Sequence, residues 1–246
     1  MEHYNLLIIG GVAAGMSAAS QARRVNNDIT IGVLEKSDHV SYAACGMPYF
    51  IGGHIREVGR LIAINKDDFI NKRHISITTM AEATAIDFHK KETLIRERDK
   101  ERIIHYDKLV LATGARAFIP PIDGTLLPHV FTLRNLEDGI TIKSFIEEHY
   151  PKSCLLIGGG FIGLEMAEAL SKRGISITII EKAESVAIAM DTEIREKITA
   201  KLLEQGIEIL NDTSVTTIEQ ELNQLSVKLS KGQSLSGFPP KIRTLS

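Results

Sequence analysis

The sequence predicts an α/β fold of two Rossmann-like domains, each built on a central parallel sheet. Three observations carry that reading. A short apolar run leads straight into a glycine-rich loop, Gly10-Gly11-Val12-Ala13-Ala14-Gly15. The same arrangement recurs at Gly158-Gly159-Gly160-Phe161-Ile162-Gly163. Each loop opens a helical stretch and then a second apolar run, which ends in a glutamate, Glu35 or Glu181. Strand–helix–strand crossovers of this kind are right-handed and give parallel pairing. Strands buried on both faces read as continuous apolar runs.

In chain order, Leu6-Leu7-Ile8-Ile9 is the first strand. A helix of small residues follows and ends in Arg23-Arg24, basic residues that suit a helix C-terminus. Residues 28–34 form the second strand. A helix is expected over 66–72 and a strand over 75–78. Residues 82–104 alternate as a hairpin or meander, with a solvated charged tip between Arg96 and Arg102. Leu109-Val110-Leu111-Ala112 reads as another buried strand, broken by Thr113-Gly114. An extended Pro-rich connector over 119–124 leads to a helix over 136–148. The second unit then places strands at 154–157 and 175–180, helices at 164–172 and 192–205, a strand at 207–210 and weaker strands near 215 and 227. The expected domains are residues 1–118 and 119–236. The stretch from Lys231 loses strand patterning, and 237–246 reads as an aberrant tail.

Composition narrows the function classes. Of 246 residues, 43% are hydrophobic and 24% charged, which is ordinary for a soluble globular chain. A net charge of −2 argues against general nucleic-acid binding, which needs a basic surplus. No apolar run reaches the roughly 18 residues of a membrane span, and the N-terminus enters a strand without the pattern of a signal peptide. Two cysteines make no disulfide framework, so a reducing cytoplasm is expected. The eight histidines form no metal-ligand spacing, and no metal is expected.

In a dinucleotide fold the first glycine permits the tight turn, the second lets backbone approach a pyrophosphate, and the third allows close helix–strand packing. Gly158, Gly160 and Gly163 match all three, and Glu181 lies roughly 20 residues on, where an acid accepts from a ribose hydroxyl. In the first loop Gly10 and Gly15 hold the outer positions while Val12 holds the second, and Glu35 stands in the relation that Glu181 has to its loop. Acidic strand ends favour unphosphorylated riboses, although Lys36 and Lys182 leave NADPH open. Cys45 follows the first loop in Ser41-Tyr42-Ala43-Ala44-Cys45-Gly46-Met47-Pro48-Tyr49, with no second cysteine nearby. A thiolate nucleophile without a neighbour must pair with an external sulfur or cycle through a sulfenic acid. The alternative is a buried, inert small residue, which is the expectation for Cys154.

With these residues the chain resembles the flavin- and pyridine-nucleotide-dependent disulfide reductases, of glutathione-reductase-like three-layer fold. Within them it is similar to the single-cysteine branch of coenzyme A disulfide reductases, NADH oxidases and peroxidases, and persulfide reductases. The likeness is carried by residues 8–19, 41–49, 109–115, 131–138 and the second loop. It implies FAD on the first loop, with Gly10, Gly11, Val12, Ala13, Ala14, Gly15, Glu35, Lys36, Ala83, Thr113 and Gly114 in contact. It implies NADH, with NADPH possible, on Gly158, Gly160, Phe161, Ile162, Gly163 and Glu181. Cys45 would be the redox residue, and coenzyme A disulfide or a related small sulfur compound the substrate, with oxygen, peroxide or persulfide as alternative acceptors. The resemblance to coenzyme A disulfide reductases places Gln21, Arg24, Ser41, Ala44 and Arg73 at that substrate. Arg73 falls where a lysine is common, and Ala44 where an asparagine is common. Arg23 reads as a solvated helix end. Relatives continue into a further flavin-binding segment and a C-terminal dimerisation domain. The sequence therefore reads as C-terminally truncated, lacking that domain, and as holding FAD weakly. A non-catalytic nucleotide-binding fragment is the reading from another class.

Overall fold

The computed structural model describes residues 2–98, 100–221 and 224–238. Strand β1 (Glu2–Ile9) runs parallel to β2 (Ile31–Leu34) and, on its other side, to β6 (Lys100–Leu111). Helix α1 (Ala13–Val25) makes the first crossover, and α3 (Lys66–Arg73) leads to β3 (Ser76–Thr78), parallel to β2. Strand β5 (Glu92–Glu97) pairs antiparallel with β6, and β4 (Ala81–Asp87) antiparallel with β5, giving the order β3-β2-β1-β6-β5-β4. The period-2 alternation of β1 gives the sheet two buried faces. Ile8 points into a cluster with Met16, Ala19 and Phe69, whereas Leu7 and Ile9 join Ile95, Ile104 and Tyr106 on the other face.

The chain divides into two compact units, Met1–Cys45 with Glu57–Arg116, and Gly46–Arg56 with Ala117–Ser246. The second unit holds two sheets. Strands β7 (Ser153–Ile157), β8 (Ser176–Ile180) and β9 (Glu208–Leu210) are parallel, with helix α5 (Phe161–Ser171) as the β7–β8 crossover and α6 (Thr192–Glu204) before β9. Strands β10 (Val215–Glu221), β11 (Gln224–Leu229) and β12 (Ser234–Phe238) form an antiparallel sheet. Its apolar face packs Ile218, Val227 and Leu229 with Ile180, Leu155 and Leu210 of the parallel strands. Helix α4 (Leu136–His149) opens with a full capping box between Asn135 and Asp138, and packs on the short helix α2 (Met47–Ile51).

Several expectations need correction. The second strand begins at Ile31 rather than at residue 28, because Asn26 and Asn5 draw the backbone of 28–30 into side-chain hydrogen bonds. The strand expected at 109–112 is the end of β6, which continues unbroken from the meander. The stretch from Lys231 does not lose its strand, since β12 pairs with β11 and Leu235 packs on that sheet's core. Residues 239–246 of the expected aberrant tail lie outside the described residues. Among the described residues, no helix is long and apolar enough to cross a membrane.

Candidate functional site: two glycine loops and a cationic cleft

Each loop leaves its strand through a glycine in the left-handed region, Gly10 (φ 108°) or Gly158 (φ 105°), where L side chains are strained. The third glycines, Gly15 and Gly163, lie against the carbonyls of Gly10 and Gly158, and a Cβ would overlap them. The close approach of helix to strand read from the spacing is thus present twice.

The backbone plan around the loops is duplicated too. Gly10 donates its N–H to the Leu34 carbonyl and Gly158 to the Ile180 carbonyl, both at 2.8 Å. The returning chain donates from Ser41 to the Gly11 carbonyl (2.9 Å) and from Ala187 to that of Gly159 (2.8 Å). Ser41 and Ala187 share an uncommon left-handed conformation, with φ of 52° and 54°. Both strand-end glutamates reach back over their loops. Glu35 Oε2 accepts from Gly11 N–H and Glu181 Oε2 from Gly159 N–H, each at 2.7 Å. Glu35 Oε1 also accepts from Ser37 N–H (2.9 Å) and Ser37 Oγ–H (2.8 Å), while among the described residues Glu181 Oε1 accepts only from Ala183 N–H (2.8 Å). An ionised carboxylate has about four acceptor sites, so both can bridge loop and ligand, Glu181 with more capacity left. The spacing rule found the glutamates but not their tie to the middle glycine; Gly159 was missed, and its equivalence to Gly11 was the available signal.

Helices α1 and α5 begin on these loops without a side-chain cap, at Val12 and Gly160, and carry no acid in the first turn. The other described helices of eight residues or more have acids there, and α4 has its capping box. Uncapped N–H groups with the positive end of the helix dipole suit an anion. Neither Val12 (φ −101°) nor Gly160 (φ −76°) has a backbone that requires glycine, and a Cβ on Gly160 would meet open space. The residue type there sets the room left for a ligand, not the turn. The residues present therefore fit a pyrophosphate at each loop. Ala13, Ala14, Phe161 and Ile162 stand exposed on the first turns. Lys36, Thr113 and Gly114 are exposed around the first loop, and Ala83 sits in β4, whose first residue donates to the Glu35 carbonyl (3.0 Å).

Within the first unit a cleft of about 690 Å³ runs between α1 and α3. Met16, Ser17, Ser20, Arg23, Arg24 and Asn27 line one wall at helical spacing, and Lys72, Arg73 and His74 line the other, with Ser41 at its edge. Of the substrate residues expected, the cleft brings together Arg24, Ser41 and Arg73. Gln21 is exposed on α1 outside the lining, and Ala44 is also outside it. Arg23 is no solvated end; it donates to three backbone carbonyls.

Cys45 lies in a single 3₁₀ turn, Ala44–Gly46, just before α2, and its side chain is exposed. The buried-residue alternative is excluded for it. Cys154, in β7, is partly covered as a residue, but burial of its thiol pushes it from 9.0 up to about 12. It stays a neutral thiol at physiological pH, as a structural cysteine should. Among the described residues, no group of three His, Cys, Asp or Glu could hold a metal.

The family model of the pyridine nucleotide-disulphide oxidoreductases matches residues 4–238. The chain is 39% identical to an NADH oxidase of Methanocaldococcus jannaschii, over 83% of this chain and 46% of that protein. It is 35% identical to a coenzyme A disulfide reductase of Staphylococcus haemolyticus, over 88% of this chain and 49% of that one. It superposes on a NAD-dependent persulfide reductase from A. fulgidus with a TM-score of 0.88 and 35% identity, covering 96% of this chain and 44% of the other. A reduced Bacillus anthracis CoADR-RHD structure gives 0.90 and 31%, with 96% and 42% covered. The chain spans about half the length of the curated relatives it matches.

Proposed function

The chain belongs to the pyridine nucleotide-disulphide oxidoreductases, and from that membership we propose that it carries the two nucleotide sites of an FAD-dependent NAD(P)H oxidoreductase whose redox residue is Cys45. FAD is assigned to the first loop and NADH to the second. The exposed thiol of Cys45, in the segment whose Ser41 hydrogen-bonds the first glycine loop, is the observation that supports this most. Relatives named as acting on coenzyme A disulfide or persulfide point to a small sulfur substrate. The cleft adds a physical reason to favour coenzyme A disulfide, because Arg24 and Arg73 face it and meet no carboxylate among the described residues. Guanidinium groups pair bidentately with phosphates, and coenzyme A is rich in them. A free reactive thiol suits a reducing compartment, and the cytoplasm is the proposed location.

Bound at the first loop, the flavin supplies the link between a two-electron hydride donor and thiol–disulfide exchange. The chain's own part is positional and nucleophilic. Uncapped N–H groups of α1 and α5 hold the two pyrophosphates, while Glu35 and Glu181 fix the middle glycines and accept from the riboses. The Cys45 thiolate attacks one sulfur of coenzyme A disulfide. One coenzyme A leaves as thiolate, and the other stays disulfide-linked to Cys45.

That half-reaction needs no flavin and gives the test. Incubating the chain with coenzyme A disulfide should add the mass of one coenzyme A moiety to the unaltered chain and to Cys154→Ser, and none to Cys45→Ser. Absence of the adduct, or an equal adduct on Cys154, would overturn the assignment.

A further inference from the structure

The α1–α3 cleft holds a guanidinium that is fastened at both ends. Helix α3 ends at Arg73, and His74 after it turns left-handed (φ 50°). Such a terminus leaves carbonyls without partners. Arg23, in the last turn of α1, supplies them. Its Nε donates to the Arg73 carbonyl (2.9 Å), its Nη2 to the His74 carbonyl (2.7 Å) and its Nη1 to the Asn27 carbonyl (2.6 Å). This ties the end of α3 to the end of α1.

The side chain of Arg73 then turns back toward α1. Its Nη1 donates to Ser20 Oγ at 2.8 Å, and its guanidinium carbon lies 5.0 Å from the Phe69 ring centroid. Phe69 is 1% exposed, so the ring is a fixed surface rather than a mobile one. A guanidinium held on an aromatic face keeps its remaining N–H donors directed outward in its plane. Ser20 uses one donor, and no carboxylate among the described residues neutralises the charge. Arg24, one residue beyond Arg23, lines the same cleft.

We propose that Arg23 and Ser20 are positioning residues that act through Arg73, fixing its guanidinium as a preformed phosphate contact for coenzyme A. The ligand's identity rests on the function proposed above; the positioning roles rest on these hydrogen bonds. Preorganisation of this kind lowers the ordering cost of binding a flexible anionic ligand. Lysine cannot replace Arg23, since a compact ammonium cannot span three carbonyls arranged around a planar fork.

The test is calorimetric titration of the full chain with coenzyme A, with NADH titration at the second loop as the internal control. Arg73→Met should weaken coenzyme A binding roughly tenfold, the loss of one charge-assisted contact. Ser20→Ala and Arg23→Lys should each weaken it by about three- to tenfold, and Ser20→Thr, which keeps the hydroxyl, should restore it. In an Arg73→Met background neither Ser20→Ala nor Arg23→Lys should cost anything more, and NADH binding should hold throughout. Unchanged coenzyme A binding in Ser20→Ala and Arg23→Lys, or the same loss with Arg73 already removed, would overturn the positioning roles while leaving the substrate reading standing. No coenzyme A binding by the unaltered chain, even at millimolar ligand, would overturn the substrate reading and this inference with it.

Discussion

The two glycine loops share one hydrogen-bond plan and differ in what stands beside them. In the first unit β1 lies inside a six-stranded sheet, and the chain leaving β6 closes over the loop. A Cβ on Gly10 would run into the Ala112 carbonyl, and Glu35 is 6% exposed with three donors on its carboxylate. In the second unit β7 pairs only with β8 in its parallel sheet. A Cβ on Gly158 would meet nothing within 4 Å, and Glu181 is only partly buried, with two donors. The shared plan is what a dinucleotide requires, and the differences measure how far each loop is held by the described residues around it. The first loop is set before any ligand arrives; the second keeps acceptor capacity and open backbone.

Glycine substitutions should separate the two loops most. Gly10→Ala combines left-handed strain with a backbone collision and is expected to cost at least about 3 kcal/mol. Gly158→Ala carries the strain alone and is expected to cost about 1–2 kcal/mol. Urea denaturation of both variants checks this, and equal losses would remove the contrast. The glutamates come next. Glu35→Ala strands the buried Gly11 N–H and removes two part-buried contacts from Ser37, and should cost about 2–4 kcal/mol, against about 1–2 kcal/mol for Glu181→Ala. Larger destabilisation from Glu181→Ala would mean that the second loop is the more tightly held.

Nucleotide choice sharpens the comparison further. The free capacity of Glu181 favours a 2′-hydroxyl over a 2′-phosphate by roughly 1–3 kcal/mol. Dissociation constants should therefore favour NADH over NADPH by about tenfold or more. Tighter NADPH binding would show that Lys182 governs the site. At neutral pH the smallest effect concerns β7 itself, since it is felt only in alkali. The Cys154 thiol is raised to about 12 in the folded chain from 9.0. The unfolded chain thus loses this proton first, and stability should fall as pH rises from 9 toward 12, by at most about 1.4 kcal/mol per pH unit. Cys154→Ala should show a shallower decline over that window, and identical slopes would place the thiol in water.

Much of this was legible in the sequence because it rests on local rules. The loops, their glutamates and Cys45 follow from spacing, and helices α1 and α3–α6 lie where the sequence places helical stretches between its strands. What was not legible depends on tertiary partners. Helix α2, five residues with Pro48 in its first turn, is too short to show a period. Strand β12 was hidden because Ser234, Ser236 and Gly237 have weak strand propensity and gain their place by pairing with β11. Gln21 stands one residue off the cleft-lining face of α1, a rotation of about 100°, which a family likeness does not resolve. The role of Arg23 could not be read at all, since its carbonyl partners on α3 lie some fifty residues away.

The central claim is that the two loops are separate nucleotide sites, the first for FAD and the second for NADH. Aspartate at the helix start tests it most directly, because it caps the helix favourably while placing a negative charge where the pyrophosphate would sit. FAD and NADH titrations of Val12→Asp and Gly160→Asp, each checked for an unaltered melting temperature or a higher one, give the answer. Val12→Asp should lose FAD and keep NADH, and Gly160→Asp should lose NADH and keep FAD. Loss of the same ligand from both variants, or FAD binding that Val12→Asp leaves intact, would contradict the claim.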